Sequence, residues 1–327
     1  MMETVRWGII GAGDVCEVKS GPAFYKIEHS ELVAVMRRDA AKAADFAQRH
    51  GARRWYDDAD ALFHDPEVNA IYVATPPQTH ADYAIRAMQA GKAVYVEKPM
   101  AMTFAECQSM IATSESTGMP LFVAHYRRSL PYFIKVKSLL DANKLGTIVS
   151  VLVRQFRAPL PSDLETHDHT WRVDPSVAGG GYLFDLAPHT IDILDFLLGR
   201  IARVHGFTTN RGGLYAADDS VTAAFVFESG VVGNALWNFV SSPAADSDRV
   251  EIIGTNGILS FSVFGFTPIV LENGDGTQSF TTEQPPHIQQ PFIQTVVDEL
   301  RGVGQSPCHG ETGARPNWFM EQLYAVR

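Results

Sequence analysis

The sequence predicts an α/β protein in two parts. A doubly wound parallel sheet is expected over residues 1–124, followed by an α+β domain over 125–327 built on a mostly antiparallel sheet. Three observations lead there. Up to about residue 124, short apolar runs alternate with helical patterns, the rhythm of βαβ units whose parallel strands are covered on both faces. After about residue 145, strand-like runs follow one another closely, with few helical stretches between them. The length of 327 residues, with 46% hydrophobic and 20% charged residues, suits a globular chain of two domains.

The elements follow in order. VRWGII reads as the first strand, and a helix starts at about Asp14. ELVAVM is the second strand, after which Asp39 is placed to cap the helix AAKAADFAQRH, closed by Gly51. NAIYVAT leads to the helix HADYAIRAMQA, closed by Gly91. AVYV leads to a helix from Thr103 to about Thr117, and LFVAH is the last strand of this half. In the second half IVSVLVRQF, ARVHGFTT, SVTAAFVF, VVGNALWNFV, RVEIIG and GILSFSV are strands, and GTNG at 254–257 is a hairpin turn. One helix, about Leu186 to Leu198, falls between the first two of these strands, and the chain returns to helix from about Gln289.

The formal net charge is −10, from 27 basic and 37 acidic residues, which argues against a broad nucleic-acid or anionic-membrane surface. No run approaches the roughly 18 apolar residues of a membrane span, and MMETVRWGIIGAG lacks the apolar stretch of a signal peptide. Cys16, Cys107 and Cys308 are far apart, so neither disulfides nor structural zinc are expected, and a reducing cytoplasmic compartment is. The spacings GxSxG and HExxH are absent, which removes support for serine-hydrolase and zincin chemistry.

The turn Gly8-Ile9-Ile10-Gly11-Ala12-Gly13-Asp14-Val15-Cys16 joins the first strand to the first helix. Gly11 permits a tight turn, Gly13 lets backbone approach a pyrophosphate, and Asp14 and Val15 open a helix whose free N–H groups attract anions. The third position is the small Cys16. A phosphate-binding P-loop does not fit, because Val18 stands before Lys19-Ser20 where glycine is needed. At the end of the second strand, Arg37 and Arg38 stand where an NAD-binding chain carries an acid for the ribose. Guanidinium groups suit a phosphate monoester, so NADP is expected, with NAD the alternative if Asp39 reaches the ribose instead of capping its helix.

Ala74-Thr75-Pro76-Pro77-x-x-His80, Ala90-Gly91-Lys92, Glu97-Lys98-Pro99, Tyr126-Arg127-Arg128 and Trp171-Arg172-x-Asp174-Pro175 occur in that order. So do Gly179-Gly180-Gly181-Tyr182-x-x-Asp185-x-x-x-His189 and the strand pair around Glu251 to Gly257. Nearly the whole chain thereby resembles the glucose–fructose oxidoreductase / inositol dehydrogenase / MocA family (Gfo/Idh/MocA). The resemblance implies an N-terminal Rossmann domain, a C-terminal domain with a large open sheet, and NAD(P)-linked oxidoreduction of sugars, polyols or cyclic diols. It also implies a homo-oligomer, such as a dimer, formed through the open sheet.

It implies site residues as well. Thr75, Pro76, Pro77, His80, Glu97 and Lys98 would join Gly11, Gly13, Asp14, Val15, Arg37 and Arg38 at the cofactor. His80 caps the next helix in the competing reading. A cis peptide before Pro99 would aim Lys98 at the substrate oxygen, where a cation stabilises developing alkoxide; otherwise Lys98 is a surface lysine. Asp185 and His189 share one helical face at i, i+4, and by resemblance His189 is the acid/base with Asp185 behind it. The bland alternative makes Asp185 a helix N-cap, with Pro188 in the first turn. Tyr126, Arg127, Trp171 and Arg172 are substrate-contact candidates, with packing and ion pairing as the alternative. His167-Asp168-His169 reads as a polar solvent loop, with a substrate-contacting loop as the alternative and a metal site disfavoured. A non-catalytic dinucleotide sensor on the same fold is the competing function, disfavoured because both the lysine and the Asp185/His189 pair are present.

Overall fold

A computed structural model of the protein describes residues 2–165 and 170–325. The chain forms two compact units, residues 1–130 with 284–317, and residues 131–283 with 318–327.

The first unit holds a six-stranded sheet of β1 (Val5–Ile10), β2 (Ser30–Met36), β3 (Arg54–Tyr56), β4 (Ala70–Val73), β5 (Ala93–Val96) and β6 (Leu121–Val123). All pairings are parallel and the order is β3-β2-β1-β4-β5-β6. This is the doubly wound order, whose direction reverses between β1 and β4; ligands of such sheets bind outside the carboxyl ends of the strands there. Every residue of β4, β5 and β6 is buried, as expected of strands covered on both faces. The helices keep the expected stops and starts. Asp39 caps Ala40–His50 by accepting from the Lys42 amide at 3.1 Å, and Gly51 ends that helix in the left-handed conformation. Thr103 and Glu106 form a capping box at the start of Phe104–Thr117.

The second unit carries eight strands: β7 (Ile148–Phe156), β8 (Ile201–Thr209), β9 (Ser220–Phe227), β10 (Val232–Asn238), β11 (Ser247–Gly254), β12 (Gly257–Phe261), β13 (Ile269–Asn273) and β14 (Gly276–Phe280). The order is β14-β13-β12-β11-β7-β10-β9-β8, antiparallel except where β7 runs parallel to β10. The expected hairpin joins β11 to β12, with Gly254 paired to Gly257. Alternate residues of β7 and β10 are buried and exposed. Inward-facing Phe225 and Trp237 pack against Phe319 of the C-terminal helix. The opposite face carries exposed Leu152, Phe207, Val232 and Leu236. One cross-strand row there runs Phe207, Thr222, Leu236, Arg154, Arg249.

The division differs from the single expected boundary between 124 and 125. Residues 284–317 return to the first unit because the helix Gln290–Arg301 is amphipathic and buries Phe292, Ile293, Val296 and Val297 there. Phe292 stacks on Tyr95 of β5 with ring centroids 5.8 Å apart. The helix Pro131–Asp141 and the hairpin β13–β14 were not anticipated from the sequence. Among the described residues no helix is long and apolar enough to cross a membrane.

Candidate active site

At the end of β1 the chain turns through Gly11, whose φ is +80°. A Cβ there would lie 2.6 Å from Thr75 Cγ2 and 2.9 Å from the Thr75 amide nitrogen, so only glycine fits both the dihedral and the space. The close approach brings the glycine turn against Thr75, which follows β4. At Gly13 the situation is the reverse. An added Cβ would meet only the Gly11 carbonyl oxygen, at 3.8 Å, so the backbone lies open to an approaching group. Gly13 is the N-cap of Asp14–Val18, and no side chain caps that helix start. Asp14 and Val15 form its first turn. Cys16 is fully buried, and burial pushes its thiol up to about 12, so this sulfur packs and does not react.

Arg37 Nη1 donates to the Ala12 carbonyl of the glycine turn at 2.9 Å, which holds one guanidinium beside the turn. Arg38 is exposed. Asp39 is engaged by the Lys42 amide, and that hydrogen bond lowers its pKa.

After β4, Pro76 leads into a short 3₁₀ turn over Pro77–Thr79. His80 has no exposed surface. Its Nε2 lies 2.7 Å from the Thr75 carbonyl oxygen and its Nδ1 lies 2.9 Å from that of Pro99. Burial lowers its pKa against the pull of these two acceptors. The imidazole thus ties the loop after β4 to the loop after β5. This corrects the helix-cap reading of His80, because the helix His80–Gln89 has Thr79 at its N-cap and no side-chain cap.

The Glu97-Lys98-Pro99 loop leaves the carboxyl end of β5, and the Lys98–Pro99 peptide is cis. Glu97 is 7% exposed and turns inward. Its Oε1 accepts from Tyr72 Oη at 2.6 Å and from Gln289 Nε2 at 2.6 Å, and its Oε2 accepts from the Lys98 amide at 3.1 Å. Tyr95 Oη donates in turn to Gln289 Oε1 at 2.8 Å. Burial, reinforced by the Glu97 carboxylate, raises the pKa of Tyr72 and of Tyr95 well above the phenol range, so both remain donors. Asn317 Nδ2 donates to the Ala101 carbonyl at 2.7 Å and holds the far end of the loop. Lys98 itself is half-buried. Tyr126 and Arg127 belong to the same unit and are both buried, with Arg127 Nη1 3.0 Å from Tyr126 Oη.

In the second unit the helix Tyr182–Leu198 starts at Gly181, so Asp185 is not its N-cap. Asp185 and His189 stand one turn apart on this helix. Asp185 Oδ2 pairs with Arg172 Nε at 3.3 Å, and the Arg172 guanidinium lies 4.6 Å from the centre of the Trp171 ring. His189 is 5% exposed and meets Phe264 edge-on, with ring centroids 5.7 Å apart. Trp171 is 38% exposed, so it is not a core anchor. The His167-Asp168-His169 stretch lies outside the described residues. Among the described residues no cluster of His, Cys, Asp or Glu is arranged to hold a metal ion.

The structure therefore gathers the glycine turn, Arg37, Thr75, His80 and the Lys98 loop in one unit, and Trp171, Arg172, Asp185 and His189 in the other. Sequence reasoning missed Tyr72, Gln289 and Asn317. Gln289 and Asn317 reach the loop from about 190 and 220 positions along the chain, and no motif spacing announces such contacts.

A doubly wound domain with an open glycine turn at its switch point, and a lysine loop beside it, defines a dinucleotide-dependent oxidoreductase. Comparison with known proteins gives the family. Residues 5–125 match the model described as "Oxidoreductase family, NAD-binding Rossmann fold", and residues 133–260 match the GFO/IDH/MocA C-terminal domain. The chain belongs to the Gfo/Idh/MocA oxidoreductase family and carries its nicotinamide-binding domain. It is 38% identical to Oxidoreductase P35 of Formosa agariphila over 98% of both chains. It is 26% identical to 1,5-anhydro-D-fructose reductase of Ensifer adhaerens over 98% of this chain and 95% of the relative. In structure it is similar to levoglucosan dehydrogenase solved with NADH, with a TM-score of 0.88 at 21% identity, covering 98% of this chain and 96% of that one. At that identity the likeness shows the fold.

Proposed function

We propose that this chain is an NADP-dependent dehydrogenase or reductase acting on a secondary alcohol or ketone of a sugar, polyol or cyclic diol. The observation that carries the reading is the Lys98 loop, fixed at the carboxyl end of β5 in a dinucleotide-binding sheet. The glycine turn fits the cofactor, with open space at Gly13 and an uncapped helix start behind it. Gly11, Gly13 and the first turn at Asp14 and Val15 would hold a dinucleotide there, and its nicotinamide would supply hydride chemistry between a carbinol carbon and a carbonyl carbon. Lys98 holds its ammonium at the substrate oxygen and stabilises the charge that develops on it. In the oxidative direction His189 takes the hydroxyl proton, and in the reductive direction it returns one. Asp185 supports the imidazole, and Arg172, paired with Asp185, lies beside Trp171 to contact substrate. Tyr126 and Arg127 are further substrate contacts in this reading. The test is a panel of polyols, sugars and cyclic diols offered with NADP and with NAD. Reduced nicotinamide is expected to accumulate with at least one of them, and a protein that binds cofactor yet oxidises and reduces nothing in the panel or the matching ketones contradicts the proposal.

Arg37 and Arg38 support NADP over NAD. One is held beside the glycine turn, the other is exposed, and Asp39 is occupied as a helix cap. Titration by nicotinamide fluorescence is expected to show NADPH bound at least about tenfold more tightly than NADH, a difference of about 1.4 kcal/mol. The Arg37→Ala/Arg38→Ala double variant should lose that preference and keep its NADH affinity. Tighter NADH binding by the wild type would overturn the assignment.

The exposed apolar face of the second sheet supports a homo-oligomer. Phe207 is 78% exposed and Leu236 47%, in one cross-strand row. Sedimentation is expected to show a dimer that Phe207→Lys/Leu236→Lys converts to monomer. A monomeric wild type at micromolar concentration would count against it.

A further inference from the structure

Gln289 makes contacts on two sides within the first unit. It is 1% exposed. On one side its amide donates to Glu97 Oε1 at 2.6 Å and accepts from Tyr95 Oη at 2.8 Å. On the other side its backbone N–H donates to the Lys19 carbonyl at 3.1 Å, and two residues earlier His287 Nδ1 lies 2.8 Å from the Val18 carbonyl oxygen. Val18 and Lys19 end the helix that begins at Gly13. That helix spans only Asp14–Val18, so Gly13 and Lys19 are separated by a single short helix. Glu97, the neighbour gripped by the Gln289 amide, receives the Lys98 amide on its other oxygen.

A continuous path of hydrogen bonds therefore runs from the glycine turn through its helix, Gln289 and Glu97 to Lys98. We infer that Gln289 is a positioning residue that couples filling of the dinucleotide turn to the placement of Lys98. This inference rests on the function proposed above and adds to it a residue outside every motif of the first 200 positions. The physical reason is the buried amide. Glu97 Oε1 already takes the Tyr72 hydroxyl, and the Gln289 amide is the second donor that fixes its orientation. An apolar side chain at 289 leaves both Glu97 and the Tyr95 hydroxyl short of a buried partner, and the loop is then free to drift. The return segment fits this role because its helix is packed on the sheet. Gln289 is the N-cap of Gln290–Arg301, whose buried face locks it to the sheet.

The test uses ADP-ribose, which fills a dinucleotide site without placing a nicotinamide over the lysine. Lys98 is labelled with a limiting amine-acylating reagent, and its rate relative to the other lysines is read by mass spectrometry. In the wild type, saturating ADP-ribose is expected to change the Lys98 rate at least about fivefold, the lower range of site-to-site coupling. In Gln289→Met the change should vanish, while calorimetry shows ADP-ribose still bound. Tyr95→Phe, which removes the donor orienting the Gln289 amide, should give an intermediate response and decides the matter if Gln289→Met fails to fold. In turnover, both variants should lose kcat with substrate KM retained, with kcat taken per ADP-ribose-binding site so that an unfolded fraction does not count as lost turnover. A Gln289→Met protein that binds ADP-ribose and responds as the wild type does overturns the inference, as does a wild type that binds it without responding. A wild type that binds neither ADP-ribose nor 2′-phospho-ADP-ribose overturns the cofactor reading itself, a separate and recognisable failure.

Discussion

Replacement of Lys98 by Met is expected to lower kcat/KM by about 10²–10³-fold, the range for removing one group that stabilises developing oxyanion charge. The change should fall mainly on kcat, because the ammonium acts most strongly when the substrate oxygen carries charge. Cofactor affinity should change little, since the glycine turn and Arg37 are untouched. The fold should survive as well. The loop is held by the Glu97 carboxylate, the Pro99 carbonyl and the Ala101 carbonyl, and thermal unfolding of Lys98→Met checks that these contacts suffice. Steady-state kinetics with nicotinamide fluorescence on the same preparation separates these effects. A Lys98→Met enzyme with unchanged kcat would remove the lysine from the chemistry.

The second large effect is expected at His189. His189→Asn should lower kcat by about 10²–10⁴-fold, the usual contribution of a positioned acid/base. The sign of its pH dependence follows from the direction of the reaction. Alcohol oxidation needs the unprotonated imidazole, so wild-type activity should fall as pH drops, and ketone reduction should fall as pH rises. The residual activity of His189→Asn should lack the imidazole limb in both directions. Asp185→Asn should act through the same group with a smaller loss. Its partner Arg172 is 45% exposed and Asp185 itself 24%, so thermal unfolding of Asp185→Asn is measured beside its kinetics to separate lost activity from lost fold. An unaltered pH profile in His189→Asn would assign the proton transfer elsewhere.

Much of this architecture is legible in the residues. The strand–turn–helix rhythm, the caps at Asp39 and Thr103 and the glycine turn are local devices, and each acts where the sequence places it. Side-chain direction at the Lys98 loop was not legible. Every residue of β5 is buried, so the strand gives no in-or-out alternation from which to aim Glu97. The same holds for His80, whose two partners are backbone carbonyls that carry no sequence signal. The return of residues 284–317 was missed for a related reason. An amphipathic helix announces that one face will be covered, and the sheet that covers Phe292 is specified by a stacking contact with Tyr95, nearly 200 positions earlier.

The most direct measurement of the proposed chemistry follows the transferred hydrogen. A reactive alcohol from the panel would be prepared with deuterium on its carbinol carbon and oxidised in ordinary water, and the reduced nicotinamide analysed by mass spectrometry. Hydride transfer predicts one deuterium in the nicotinamide ring per turnover and none released to solvent. Deuterium appearing in water, with unlabelled reduced nicotinamide, would contradict direct transfer and with it the roles proposed for Lys98 and His189.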